Sequence, residues 1–400
     1  MPFIQKNIEL GNRRIVGQGH ALRQAEKIFQ ADRLGHAYLI TGPAGSGKTA
    51  FALAMAEAIN GIDNLTDLKG TALTRKSSWY THPDIHLFIP LPTTAGIGHL
   101  NERLKLLSKD PYEIVDFRLR PELKDEASSK NKRAFYPIDY YRDEIRPKTV
   151  LKPNEGRKTV MILTGIDTMR KEAANAFLKL LEEPSENVMF ILTADKTDQM
   201  LPTIMSRCQQ IRLSPLTHEE IAEGLVRYDD FEQKDAEFIA RISGGNYAFC
   251  RYIDIKILQK TRSEAVDFLR YAYTQDAASL VPLIEGWQSR LNLENQIALA
   301  NTLEQLLRDI MVYRETQNKG LITNIDQLDV IRKFCDSLKD ARLGDMIDEL
   351  QKLKGLFYHN VQFKLIFTVL AFRFGSLIRG HDPFISNKTP WQHLPAFTES

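Results

Sequence analysis

This sequence predicts an α/β fold, a parallel sheet with flanking helices, followed by an all-helical carboxy-terminal half. Three observations carry the prediction. From Ile15 to about Arg212 short β-like runs alternate with helical patterns, and a glycine-rich loop stands between one such run and the next helical stretch. After about Pro215, apolar residues recur at helical spacing with few β runs.

The candidate strands are Ala37–Thr41, 85–89, 159–164, 188–193 and 210–213. Between them, 48–59 and Lys171–Glu182 are rich in Ala, Leu, Lys and Glu, which favour helix. Residues 61–141 interrupt this rhythm with charge-rich pieces and read as a partly mobile insertion. In the second half, Leu299, Leu303, Leu306, Leu307, Ile310 and Met311 form one helical stripe. The Gly244–Gly245 pair and a polar break near 260–263 divide that half into a small helical unit (213–260) and a larger bundle (261–380), with an irregular tail at 381–400.

Four hundred residues with a 43% apolar fraction can bury more than one core. The 53 basic and 51 acidic residues leave a net charge of +2, so any nucleic-acid contact must be local. Three cysteines, Cys208, Cys250 and Cys335, lie far apart without a Cys-x-x-Cys pair, which argues against a disulfide framework and against a cysteine zinc site. The amino terminus lacks an apolar core of signal-peptide length. The most hydrophobic stretch, 361–374, is too short to span a bilayer and carries Lys364 and Arg373, so a buried helix is expected. A cytoplasmic protein without a membrane domain is the expectation.

The strongest chemical signal is Gly42-Pro43-Ala44-Gly45-Ser46-Gly47-Lys48-Thr49, which satisfies G-x-x-x-x-G-K-[ST] between a predicted strand and a predicted helix. Glycines let backbone N–H groups curl around phosphate oxygens, and the helix N-terminus adds its positive end. Lys48 can neutralise β/γ charge and Thr49 can hold Mg²⁺. The plainer alternative is a glycine-rich turn without a ligand. Hydrolysis needs more: an acid at the end of a second strand for Mg²⁺, and a carboxylate to orient water. At that position stand Thr164 and Gly165, while Asp167 is offset and reads as a solvated helix-entry or capping residue. Binding without efficient turnover is implied.

With these residues set out, a likeness emerges. The runs IVGQ (15–18), RLGHAYLITGPAGSGKT, THPDIHLF (81–88), GRKTVMILTGIDTMRKEAANAFLKLLEEPSENVMFILTA and LPTIMSRCQQIRL resemble the bacterial clamp-loader AAA+ ATPases. Within that family the chain is most similar to the delta-prime subunits of DNA polymerase III, over roughly residues 12–61 and 142–250. The resemblance implies a RecA-like nucleotide domain (1–212), a small helical lid and a helical collar that assembles a five-membered ring. It also implies that Arg207, in the Ser206-Arg207-Cys208 block, reaches a neighbour's ATP in trans; an ordinary surface or capping arginine is the alternative. A guanidinium presented in trans would neutralise charge developing on the γ-phosphate.

The chain departs from the family in several places. Family members commonly carry a four-cysteine zinc module before the His-Pro-Asp block, but the corresponding stretch here has no cysteine, so no zinc is expected. His82 and His86, with Pro83 between them, read as separate surface and core residues. The lid arginine of the motor subunits falls nearest Tyr247. Tyr247 together with Thr164 and Gly165 moves the choice toward a non-motor subunit, while the intact Lys48 and Thr49 pull slightly the other way. The resemblance implies that such a subunit binds ATP or ADP with Mg²⁺, works with other clamp-loader subunits and the sliding clamp, and meets primed DNA through the assembled complex. The alternatives are a self-sufficient ATPase resembling the gamma/tau motor, or a nucleotide-gated adaptor outside replication. Basic residues Arg118, Arg120, Lys130, Lys132, Arg133, Arg142, Arg146 and Lys148 fit a solvated surface as well as a phosphate track.

Overall fold

The computed structural model describes residues 9–10, 13–30, 34–62, 75–76, 78–92, 97–117, 120, 134–253, 255–291, 293–324, 327–358 and 361–381. These fall into two units, residues 1–251 and 252–400. In the first, a short antiparallel pair, β1 (Glu9–Leu10) and β2 (Arg13–Arg14), precedes α1 (Gly19–Gln30). Then come β3 (Ala37–Thr41), α2 (Lys48–Asn60), β4 (Ile85–Phe88) and α3 (Ile97–Lys109). The turn α4 (Ile138–Tyr140) runs on through a π turn at Tyr141–Ile145 and a 3-10 turn at Arg146–Val150. After it follow β5 (Thr159–Leu163), α5 (Lys171–Glu182), β6 (Val188–Ala194), α6 (Pro202–Met205) and β7 (Gln209–Arg212). The unit closes with α7 (His218–Tyr228), α8 (Gln233–Ile242) and α9 (Tyr247–Cys250).

All five predicted strands are present and form one sheet in the order β4-β5-β6-β3-β7, every pair parallel. Parallel strands need crossover helices, which cover both faces, so the inner strands are apolar on both sides. Side chains alternate accordingly: Tyr38 and Ile40 join the core formed with α1 and α2, while Ala37 and Leu39 join the core formed with α5. At the edge, β7 exposes Gln209, Gln210 and Arg212 and buries Ile211, a polar edge that discourages strand addition.

The His-Pro-Asp block is a latch that fixes the start of β5. Asp84, buried, accepts from the backbone N–H groups of Asn154 (2.7 Å), Glu155 (2.8 Å) and Gly156 (2.6 Å). His82 is also buried, and its Nδ1 accepts from the Asp84 N–H at 3.0 Å. Of the expected surface and core places neither histidine takes the surface one: His82 is buried and His86 is half-buried on β4. Asn60, at the end of α2, completes the latch by accepting from Arg157 and Lys158 N–H and donating to the Lys158 carbonyl.

The insertion is more integrated than its composition predicts. Leu100 and Leu107 of α3 and Phe117 beyond it belong to the same core as α2. Charge patterning missed this because the apolar anchors are few and widely spaced. The charge-rich pieces at 63–74 and 121–133, with Arg118, Lys130, Lys132 and Arg133, lie outside the described residues. Of the remaining basic residues, Arg120 pairs with Glu113 at 2.6 Å and Arg142 with Asp139 at 3.3 Å.

The second unit contains α10 (Ile255–Thr274), α11 (Ala277–Arg290), α12 (Leu293–Thr316), α13 (Leu328–Ser337), α14 (Leu343–Lys354) and α15 (Phe363–Ile378). The predicted stripe lies on α12, where Leu299, Leu303, Leu306, Leu307 and Ile310 are buried and Met311 packs partly against them. Phe268, Trp287, Phe367 and Phe374 form the aromatic centre, Phe268 standing 5.6 Å from Trp287 and 5.7 Å from Phe367. Trp287 Nε1–H is satisfied by Glu264 at 2.7 Å, as a buried indole requires. The hydrophobic stretch expected as a buried helix is α15, buried along one side but exposing Leu365 and Phe372. No helix among the described residues is long and apolar enough to cross a membrane. The tail at 382–400 lies outside the described residues.

Candidate nucleotide site and the Arg207 turn

The glycine-rich loop leaves β3 and enters α2 as predicted, and its conformation explains its composition. Gly45 and Gly47 adopt φ of 73° and 91°, a region that side chains rarely occupy. At Gly42 the constraint is close approach, since a Cβ there would stand 2.7 Å from the Leu213 carbonyl oxygen. The segment before α1 braces the loop from outside: Gln18 Nε2 donates to the carbonyls of Ser46 (3.1 Å) and Ser214 (2.8 Å), and its Oε1 accepts from Ser214 N–H. Ser46 Oγ is buried and has no hydrogen-bond partner among the described residues.

Lys48 is almost fully enclosed. Its Nζ donates to the carbonyls of Gly42 (2.8 Å) and Pro43 (2.6 Å) and pairs with Asp195 at 2.7 Å, which engages all three ammonium donors. No local motif in the sequence marks Asp195. The signal for it is topological: β3 and β6 are neighbours with Thr41 paired to Ala194, so the residue after β6 lies beside the loop after β3. Behind it, Asp167 accepts from Asp195 N–H at 3.4 Å. Asp167 is buried in a 3-10 turn at Ile166–Thr168.

Thr164 and Gly165 occupy the strand end where a metal-holding acid pair is expected. Thr164 is tied to Phe88 through its N–H (3.0 Å), and its carbonyl accepts from the buried Tyr136 hydroxyl at 2.7 Å. Gly165 (φ 59°) donates its N–H to Thr193 Oγ1 at 3.2 Å. Among the described residues no group of three or more His, Cys, Asp or Glu side chains is placed to hold a metal. The phosphate cradle, with its left-handed glycines, an orphaned serine hydroxyl and a lysine held at its mouth, fits a polyphosphate, with Thr49 available for Mg²⁺.

Arg207 sits in the turn between α6 and β7. Its guanidinium donates to the Thr203 carbonyl at 3.0 Å and pairs with Glu182, the last residue of α5, at 2.8 Å. The side chain remains 34% exposed. Gln209, two residues on, pairs with Tyr38 at the start of β3, whereas the phosphate loop begins beyond the far end of that strand. The four residues from Tyr38 to Gly42 span about 13 Å at the strand rise, and Arg207 lies on the opposite side of Tyr38 from the loop. Arg207 and the glycine-rich loop after β3 therefore lie toward opposite ends of the sheet.

Tyr247, on the first turn of α9, is fully buried and donates its hydroxyl to Asp229. The residue that reaches the loop is its neighbour Asn246, since a Cβ on Gly45 would lie 1.7 Å from Asn246 Oδ1.

The family profile described as "DNA polymerase III, delta subunit" matches residues 17–217, half of the chain. The chain is 27% identical over 349 residues to the delta-prime subunit of Pseudomonas aeruginosa DNA polymerase III, covering 86% of this chain and 92% of that one. It is 28% identical over 213 residues to the delta-prime subunit of Bacillus subtilis, covering 53% and 52%. Against the tau subunit of the same bacterium it is 25% identical over 371 residues, covering 84% of this chain and 56% of that one. The chain thus spans little more than half the length of the two Bacillus relatives. A gamma subunit-related protein of Thermotoga maritima, similar over 89% of this chain and 100% of its own, is 15% identical with a TM-score of 0.39. On the family match, whose range includes the loop, the His-Pro-Asp latch and the Arg207 turn, and on these relatives, the chain belongs to the bacterial clamp-loader AAA+ family of DNA polymerase III.

Proposed function

We propose that this chain is a non-motor, delta-prime-like subunit of the clamp loader, which supplies Arg207 in trans to a neighbouring ATPase and braces the ring that places the sliding clamp on primed DNA. The observation that carries this reading is the position of Arg207, partly exposed and at the opposite end of the sheet from its own loop. A cation placed there serves a nucleotide on another subunit, where it neutralises charge developing on the γ-phosphate. Thr164 and Gly165 support the same reading, because neither offers a carboxylate to metal or water. ATP or ADP with Mg²⁺ at Gly42–Thr49 then has a binding role. Leu365 and Phe372, one heptad apart on α15 and both exposed, support a partner against that helix.

The test is reconstitution with the partner subunits, comparing Arg207→Ala with Lys48→Ala. Arg207→Ala is expected to lower clamp-stimulated ATP turnover at least about tenfold, a modest fraction of what trans arginines contribute elsewhere. Lys48→Ala is expected to leave most of it. Unchanged turnover in Arg207→Ala would sink the assignment.

A second reading, a self-sufficient ATPase resembling the gamma/tau motor, is favoured by one observation. Asp195, backed by Asp167, stands within ion-pair distance of Lys48, where an acid could serve a metal. Steady hydrolysis by the purified chain alone, lost in Asp195→Asn, would support it over the first.

A further inference from the structure

The insertion does more than decorate the sheet. A nucleotide gripped by its phosphates must lay its ribose and base along the wall beside the loop. Here that wall comprises Val16–Gln18, of which Gln18 bonds the loop at Ser46, the outer side of Gly45–Gly47, and the start of α9. Tyr112, three residues beyond the end of α3, fills that space. Its hydroxyl accepts the Val16 N–H at 2.8 Å, and a Cβ on Gly47 would lie 2.9 Å from the same oxygen. Its ring packs edge-on against Tyr247 with centroids 4.8 Å apart.

The segment is also fastened to the lid and to α3. Asp110 pairs with Arg251, which in turn pairs with Asp229 at 2.8 Å, the same carboxylate that accepts from Tyr247. Asp110 Oδ1 accepts the Tyr112 N–H at 2.9 Å. From beneath, the buried Arg103 donates to the carbonyls of Val115 (2.9 Å) and Arg120 (2.6 Å) and lies 3.7 Å over the Phe117 ring. Hydrogen bonds, an ion pair and ring contacts thus hold one tyrosine against the side of the phosphate loop.

We infer that Asp110–Tyr112 is a built-in plug of the chain's own nucleotide site, with Tyr112 competing with the ribose and base of a bound nucleotide. The plug goes beyond the trans role of Arg207 and rests only on Gly42–Thr49 being a nucleotide loop. Binding then requires the segment to leave, so the apparent affinity falls by the fraction of molecules in the open state. Loosening the lid, as by contact with another subunit, would open the site.

The experiment is titration calorimetry of the full chain with magnesium ADP. Tyr112→Ala is expected to tighten binding at least about tenfold, as removal of a plug closed in most molecules requires. Asp110→Asn, which weakens the tie to Arg251 and keeps the ring, is expected to tighten it about threefold. Adding Lys48→Ala to Tyr112→Ala should abolish the gain, which locates it at the phosphate loop. Binding by Tyr112→Ala that is unchanged or weaker in a folded variant overturns the plug, weaker binding meaning that the ring forms part of the base site. Should Tyr112→Ala not fold, unchanged affinity in Asp110→Asn overturns it equally. Absence of binding in every variant does so as well. The isolated chain is measured without a partner, so failure here leaves the trans assignment standing, and the reverse.

Discussion

Arg207 and Glu182 are joined at 2.8 Å although 25 residues separate them in the chain. The carboxylate ends α5 and the guanidinium lies in the turn before β7, so one helix end aims a cation that the next turn presents. Because the pair is partly exposed, it orients more than it stabilises. Glu182→Ala is therefore expected to lower clamp-stimulated ATP turnover in the reconstituted complex about threefold to tenfold, less than Arg207→Ala, with the melting temperature within about 2 °C of the parent. Turnover equal to the parent would mean that the arginine needs no aiming.

Asp195 holds Lys48 at 2.7 Å, and in the proposed nucleotide site it would compete with phosphate for that ammonium. Removing it frees an ammonium whose other partners are two backbone carbonyls. In the non-motor reading Asp195→Ala tightens magnesium ADP binding by about threefold, a small effect because the aspartate is partly exposed. A loss of binding would assign Asp195 to the metal instead. Titration calorimetry reads the difference.

Asp84 and His86 contribute to the response to acid. Burial pushes the His86 pKa down, Lys148 adds to this, and Asp84 opposes it while His82 assists; the result is about 4. An unfolded histidine gains its proton near pH 6.5 while the folded one resists, so stability is lost as pH falls from about 6.5 to 4. For Asp84, burial raises the pKa, but three backbone donors more than offset it and hold it below the usual value. Its contribution is present above about pH 4 and is lost as pH falls through the lower folded value. Thermal melts between pH 7 and 4 should show a slope that His86→Gln flattens.

The latch itself is a large stability element. Asp84→Ala strands three amides that the carboxylate now satisfies, and is expected to cost about 2–4 kcal/mol. Denaturant unfolding measures it; a change below about 1 kcal/mol would show that water replaces the carboxylate.

On α15, Phe372→Glu places a charge on an exposed apolar face of a helix whose other side fills the second core. The variant should keep its melting temperature and lose most of its co-purification with the other clamp-loader subunits. Undiminished co-purification would remove α15 from the interface.

Local pattern carried much of the molecule. The five strands, α2 and α5 lie within a residue or so of the runs read from alternation and composition, since each depends on neighbours one to four positions away. The conformation of the glycine-rich loop was legible for the same reason, being one contiguous string of backbone requirements. Arg207 was legible through a short block, but its partner Glu182 was not.

By itself, then, the sequence determined the strands, the helices, the glycine cradle and the kinds of side chain available to it. Only the tertiary structure decided which of them meet. Asp195 faces Lys48 because β6 lies beside β3, an order that periodicity cannot express. Tyr112 reaches Val16 across 96 residues because the insertion folds back beside the glycine-rich loop and against Tyr247. Secondary structure follows from short-range sterics and hydrogen bonding, whereas such meetings follow from sheet order and the closing of a shared core, which no local window contains.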